Sequence, residues 1–142
     1  MPTWIGCVAR VRVDRTSGWV TVEKLSLVID AGTIIHPNSA EAQVEGAALW
    51  GMGMALHEGS EFVKGQPKDT NLNTYKVVRM GDVPEVEVEF LPSTETPVGL
   101  GEPGTPTVAP AIGNAIFAAS GARVRHLPIR PQAVLEALVH GT

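Results

Sequence analysis

The sequence has few of the residues on which several common functional sites depend. It contains one cysteine, so it can form neither an internal disulfide nor a cluster of thiolate ligands. Its four histidines, at positions 36, 57, 126 and 140, are scattered and form no pair at a helical metal-binding spacing. It has no G-x-S-x-G segment, which excludes the nucleophile elbow of a serine hydrolase. The single thiol, Cys7, belongs to the apolar positions of a segment in which side chains alternate, and it is predicted to be a small core residue.

Basic charge and long apolar runs are also scarce. The formal net charge is −4, so the chain lacks the electrostatic footprint of a protein that binds nucleic acid or an anionic membrane. No apolar run reaches the roughly 18 residues of a membrane-spanning helix, and the N-terminus does not resemble a signal peptide. We therefore expect neither nucleic acid nor a membrane as a partner. With no targeting signal in this chain, the compartment stays open between cytoplasm and periplasm.

What is present is the composition of a globular domain. The chain has 142 residues, of which 44% are hydrophobic and 18% charged, so residues 1–142 fit one domain with a real core. Fifteen glycines and eleven prolines fall mostly in connections, which is typical of a loop-rich domain. No internal repeat or low-complexity tract divides it.

Alternation of side chains predicts three strands. Residues 7–13 and 19–29 alternate around a tight connection and predict a β-hairpin. The apolar face of the second strand switches sides near Glu23 and Lys24, which predicts a bulge. Over residues 85–90, three apolar side chains alternate with three glutamates, which we expect to form a solvated face.

Two further segments are almost wholly apolar and predict buried helices, over residues 42–56 and 107–119. A short terminal helix is predicted over residues 131–139. The fold class is therefore α+β, with antiparallel strands packed with two buried apolar helices.

The first of these helices has two notable features. Asn38 or Ser39 can cap its start. Three glycines within it cost helix propensity and so predict that the helix backbone there lies in close contact with something: Gly46, Gly51 and Gly53.

A single charge, Glu102, occurs in residues 96–122. It lies on a backbone shaped by turn residues, Gly99, Gly101 and Pro103, and it leads into an apolar helix. A carboxylate at the mouth of a buried helix is expensive to keep ionised, which makes Glu102 a candidate general base. The alternative is a loop glutamate that caps the helix.

Gln43 is the second unusual polar residue, because it stands near the start of an otherwise apolar helix. Leaving its amide unpaired would cost about 1–3 kcal/mol, so it needs hydrogen-bond partners. These could belong to neighbouring loops, or to a bound heterocycle with matching donors and acceptors.

Together these residues resemble a known family. Four segments, in this order and at this spacing, are similar to the C-terminal part of the molybdenum-binding large subunit of the xanthine dehydrogenase/aldehyde oxidase family, of the isoquinoline 1-oxidoreductase β-subunit type. They are L-S-L-V-I-D-A-G-T-I-I-H-P (25–37), Q-V-E-G-A (43–47), N-T-Y-K (73–76) and G-L-G-E-P-G-T-P-T-V-A-P-A-I-G-N-A-I-F-A-A (99–119). The similarity extends from about residue 5 to residue 130, and its G-x-G-E-P segment is the most specific part.

The resemblance implies a function and a cofactor. Such subunits bind molybdenum through molybdopterin, in bacteria usually the cytosine dinucleotide form. They hydroxylate an aldehyde or an electron-poor nitrogen heterocycle, with water as the source of oxygen. Glu102 matches the catalytic glutamate of the family, which acts as the base, and Gln43 matches a glutamine that hydrogen-bonds the pterin. Gly99 and Gly101 would let the main chain approach the cofactor.

Subunits of this family run to several hundred residues, so the resemblance also implies that this chain is a fragment of a larger cofactor-binding domain. It would be an excised domain, a truncated reading frame or one piece of a split subunit, and inactive alone. The implied partners are the remainder of the large subunit, an iron–sulfur subunit and a small-molecule substrate, in an oligomer. Two alternatives remain: a non-catalytic folded fragment that only packs against partner chains, and a hydrolase using Glu102, for which the sequence offers no obvious second carboxylate.

Overall fold

A computed structural model describes residues 2–140 of the chain, and its centre is a three-stranded sheet. Strands β1 (Trp4–Val13) and β2 (Val20–Asp30) form the predicted antiparallel hairpin. The register shifts between Arg10 and Val11, where β2 carries one extra residue, Glu23. The predicted bulge is therefore confirmed, and it keeps the apolar side chains on both halves of β2 facing the core.

The third strand of the sheet joins on the other side of β2 and differs from the predicted antiparallel arrangement. This strand, β5 (Glu85–Phe90), runs parallel to β2, with Leu25 opposite Val86 and Ile29 opposite Phe90. Alternation identifies a strand and its buried face, but it carries no information about strand direction. A parallel neighbour needs a long crossover, which residues 31–84 provide. Two intervening two-residue strands, β3 (Phe62–Val63) and β4 (Gln66–Pro67), form a separate ribbon.

The glutamates of β5 lie on the solvent side of the sheet, as predicted. Lys24 bridges two of them, with its Nζ 3.0 Å from Glu85 and 2.9 Å from Glu87. These contacts, with Glu87 the stronger, raise the pKa of Lys24. The pairs are exposed, so each contributes little to stability.

Three helices complete the domain: α1 (Pro37–Leu56), α2 (Gly104–Ser120) and α3 (Pro131–His140). The core lies where α1 and α2 meet the inner face of the sheet. Its largest fully buried side chains come from every layer: Leu25, Leu27 and Ile29 on β2, Val44 and Met52 on α1, Val108, Ile112 and Ile116 on α2, and Val134 on α3. Within residues 2–140, no helix is both long enough and apolar enough to cross a bilayer.

The residues that begin and end the helices match the prediction only in part. α1 is capped by His36, not by Asn38 or Ser39, because its imidazole Nδ1 accepts the amide of Ser39 at 3.2 Å. Pro37 then begins the helix without needing a donor partner. α2 begins at Gly104, earlier than expected, and ends where Gly121 takes a left-handed φ of 81°.

α1 and α2 pack closely because glycines lie at their contact. A Cβ added to Gly51 of α1 would lie 2.5 Å from the carbonyl oxygen of Thr105, and one added to Gly104 would lie 2.9 Å from the Cβ of Ala47. The Thr105 hydroxyl also donates to the Ala47 carbonyl at 3.3 Å. The glycine at position 46 differs, because a Cβ there would meet nothing within 4 Å.

The described residues of this chain cover the two apolar helices only in part. Three strands cover only one side of each helix. On α1 the outer side leaves Trp50 64% and Met54 44% exposed, and on α2 Phe117 is 43% exposed. Trp50 and Met54 line the same groove. Exposed apolar side chains of this size are typical of a face that more protein covers.

Cys7 lies on the inner face of β1 and packs against the core, as predicted. Burial raises the pKa of its thiol from the ordinary value of 9.0 to about 11. Because the thiolate is the nucleophile, we expect iodoacetamide at pH 8 to alkylate the folded chain at least about tenfold more slowly than the chain unfolded in urea. Mass spectrometry of timed samples measures both rates. Equal rates would show that Cys7 is accessible and ionises normally.

Candidate functional site

The segment after β5 brings Glu102 to the start of α2. Three main-chain hydrogen bonds of 2.8 to 3.0 Å hold this segment beside the end of β2. The amides of Leu91, Thr33 and Val98 donate to the carbonyls of Ile29, Glu95 and Ala31, respectively. The chain then crosses residues 99–103, which we call the Glu102 loop. This loop lies near the start of β1, the second turn of α1 and the start of α2.

Two side chains from distant parts of the sequence hold the Glu102 loop. The Nε2 atom of Gln43 donates to the Gly101 carbonyl at 3.2 Å. The hydroxyl of Thr3 donates to the Gly99 carbonyl at 2.7 Å. The structure therefore brings together Gln43, Gly99, Gly101 and Glu102. Sequence reasoning missed Thr3, because nothing in a strand-forming segment distinguishes a threonine that reaches a loop 96 residues away.

The carboxylate of Glu102 is exposed and has no hydrogen bond or ion pair with any residue in the range 2–140. Only its main-chain carbonyl is engaged, by the Thr105 amide at 3.0 Å. α2 is preceded by Pro103 and receives no side-chain cap, so Glu102 does not cap it. The burial expected at the mouth of α2 is not supplied by this chain. The carboxylate has no structural task among the described residues.

The glycines beside Glu102 face open space. A Cβ added to Gly99 or Gly101 would meet no heavy atom within 4 Å. The same holds for Gly46, which lies one turn beyond Gln43 on the same face of α1. Packing within the described residues therefore does not require glycine at these three positions, and the main chain there is free to contact another molecule.

Two grooves adjoin Glu102. One, of about 690 Å³, runs past Gly99 and Gly101 to Thr3 and Ile5. The other, of about 500 Å³, lies between α1 and α2 and is walled mainly by apolar side chains, among them Trp50, Met54 and Leu127. Glu102 is the single carboxylate among the described residues that line either groove. The second carboxylate that a hydrolase would need is therefore not provided here.

Other polar groups lie away from this site. Tyr75, in the segment 73–76 that carries part of the resemblance, donates its hydroxyl to Glu58 at 3.1 Å beyond the end of α1, and this bond raises the pKa of Tyr75. A cleft of about 420 Å³ between Trp19, His57 and Asp82 includes none of the predicted site residues. Across residues 2–140, no three His, Cys, Asp or Glu side chains are grouped so that they could hold a metal ion.

Comparison with known proteins agrees with this arrangement. The model of the molybdopterin cofactor-binding domain family matches residues 3–84. Over 141 residues, 99% of its length, the chain is 60% identical to the membrane-bound aldehyde dehydrogenase [pyrroloquinoline-quinone] of Gluconacetobacter polyoxogenes, and it covers 18% of that protein. It is 30% identical over 127 residues, 89% of its length, to isoquinoline 1-oxidoreductase subunit beta of Brevundimonas diminuta, and it covers 16% of that subunit.

Among solved structures, the aldehyde oxidoreductase of Desulfovibrio gigas superposes on 92% of the chain with a TM-score of 0.79 and 30% identity, and 15% of that protein is covered. The chain thus spans less than a fifth of the length of these relatives. The family match ends before the Glu102 loop, whereas the 60% identical relative aligns with almost the whole chain. The resemblance predicted from the four segments is confirmed: the chain belongs to the molybdopterin cofactor-binding domain family, as a segment of the type found in molybdenum-binding subunits of aldehyde oxidoreductases and xanthine dehydrogenases.

Proposed function

We propose that this chain is part of a molybdenum hydroxylase that oxidises an aldehyde or a nitrogen heterocycle with water as the oxygen donor, and that Glu102 is its general base. The observation that carries this proposal is the Glu102 carboxylate, exposed and without a structural partner in residues 2–140. It lies at the junction of two grooves, on a loop that two side chains hold. In that position it can accept the proton that water loses in becoming a nucleophile.

The residues around Glu102 fit a molybdopterin cofactor, for which we propose the cytosine dinucleotide form. Gly46, Gly99 and Gly101 leave room for a flat ring to contact the main chain. Gln43 uses one N–H on the Gly101 carbonyl, so its Oε1 atom and second N–H remain for the amide-like edge of a pterin. When bound, the cofactor supplies the redox-active metal that takes the two electrons of the oxidation.

A quinone is the alternative cofactor, because the name of the 60% identical relative includes pyrroloquinoline quinone. That molecule carries three carboxylates. Among the described residues, the groove beside Gly99 and Gly101 is lined by no Lys or Arg, and it already includes Glu102. Bringing three more anions to this carboxylate would be unfavourable, so the groove offers no charge partner for the carboxylates of such a quinone.

The exposed apolar side of α1 supports the proposed partners. Trp50 and Met54 face away from the core of this chain, and one relative is named as a subunit. We propose that the remainder of the large subunit covers this side, and that an iron–sulfur subunit completes an oligomeric enzyme. A non-catalytic fragment would need the same cover, but it would not need an unpartnered carboxylate.

Metal analysis tests this proposal. We expect the assembled enzyme that contains this chain to hold stoichiometric molybdenum by mass spectrometry, and the isolated chain to hold none, because it provides only one wall of the site. Chromatography of acid extracts shows whether a quinone is present. Quinone without molybdenum would overturn the pterin assignment, and neither cofactor would favour the non-catalytic fragment. Stoichiometric molybdenum on the isolated chain would show that this chain is a complete site.

A further inference from the structure

The Glu102 loop is fixed through its carbonyl groups and not through its amides. Within the described part of the chain, none of the four amides of residues 99–102 donates a hydrogen bond. Thr3 and Gln43 instead donate to the carbonyls of Gly99 and Gly101, one on each side of Leu100. The two donors come from distant parts of the chain, because Thr3 directly precedes β1 and Gln43 lies in the second turn of α1.

We propose that Thr3 and Gln43 are positioning residues for Glu102. This inference rests on the proposed role of Glu102 as the base. A loop with two glycines, at which an added Cβ would meet no heavy atom within 4 Å, has many accessible conformations, and each donor removes some of them. Together they fix the backbone that presents the Glu102 carboxylate.

Small displacements of this loop are costly for catalysis. A general base must come within hydrogen-bond reach of its proton, and a shift of about 1 Å can lower a rate about 100-fold. The Gln43 amide has a further consequence, because its remaining atoms are those proposed for the pterin. The Gln43 side chain would then fix the position of Glu102 relative to the cofactor.

Matched variants of the assembled enzyme test this inference. Thr3→Val keeps the shape and removes the hydroxyl, Thr3→Ser restores the hydroxyl, and Gln43→Met keeps the length without a donor. We expect Thr3→Val and Gln43→Met to lower kcat per bound molybdenum about 10- to 100-fold with KM little changed, and Thr3→Ser to turn over near wild type.

The control is Thr33→Val. The Thr33 hydroxyl also donates to loop carbonyls, those of Ser93 at 3.3 Å and Glu95 at 3.0 Å, but earlier in the same segment. Its loss is expected to leave kcat unchanged. An equal loss of kcat in Thr33→Val and Thr3→Val would show a general effect of loosening the segment and would overturn the inference.

A double-mutant comparison separates this inference from the proposed function. When Glu102 is replaced by glutamine, adding Thr3→Val should cost no further residual turnover, because no base remains to be positioned. If Glu102→Gln alone keeps full turnover, the proposed function fails. If it is inactive while Thr3→Val and Gln43→Met turn over like wild type, only the positioning role fails.

Discussion

Glu102→Gln is expected to lower the turnover of the assembled enzyme by about 10²–10⁴-fold, the range assigned to general base catalysis. Glutamine keeps the size of the side chain but cannot accept a proton. The Glu102 carboxylate has no partner in residues 2–140, so its replacement should cost little stability. Molybdenum content is therefore expected to stay near wild type, and steady-state kinetics per bound metal measures the loss.

Glu89→Gln is the matched control for this change. Glu89 is an exposed glutamate on the solvent face of β5, so the same chemical replacement there should leave turnover unchanged. Wild-type turnover in a metal-replete Glu102→Gln enzyme would remove Glu102 from the chemistry. A parallel loss of metal and turnover would instead assign it to cofactor retention.

Gly51→Ala is expected to destabilise the chain by about 1–3 kcal/mol, the usual cost of overpacking a tight contact. The added Cβ would lie 2.5 Å from the Thr105 carbonyl oxygen, so α1 and α2 would have to move apart. This oxygen belongs to the backbone of α2, which cannot move aside as the end of a long side chain can. Urea titration, at concentrations below the onset of any self-association, measures the change in the free energy of unfolding.

Gly46→Ala provides the comparison on the same helix. No heavy atom lies within 4 Å of the added Cβ, so only helix propensity changes. We expect this variant to be more stable by about 0.5–1 kcal/mol. Equal effects of the two substitutions would mean that the contact between α1 and α2 is looser than the structure indicates.

Local features of the fold could be predicted from the sequence because side-chain alternation follows burial directly. The switch of apolar face near Glu23 was enough to predict the bulge. The direction of β5 could not be predicted, because Val86, Val88 and Phe90 would alternate in the same way in either orientation. The exposed face of α1 follows from its apolar composition, but apolar residues indicate only what must be covered and not which chain covers it.

The candidate site likewise contains residues that the sequence predicts and one that it does not. Glu102 stands out as the one charge in a long apolar segment, and Gln43 as an amide on an apolar helix. Of the two roles that the sequence left open for Gln43, the hydrogen bond to Gly101 is the one that the described residues contain. Its contact with the pterin remains a prediction. Thr3 gave no signal, because its role depends on a contact that forms only when the chain has folded.

The parallel pairing of β5 with β2 also sets the order in which the site can form. The hairpin closes a short turn, whereas β5 can join only after residues 31–84 have been brought back, at a larger cost in chain entropy. The Glu102 loop follows β5 and is held by the side chains of Thr3, just before β1, and of Gln43 on α1. We therefore expect it to take its shape late in folding, and we expect a partial opening that releases β5 to disorder the base while the hairpin stays intact.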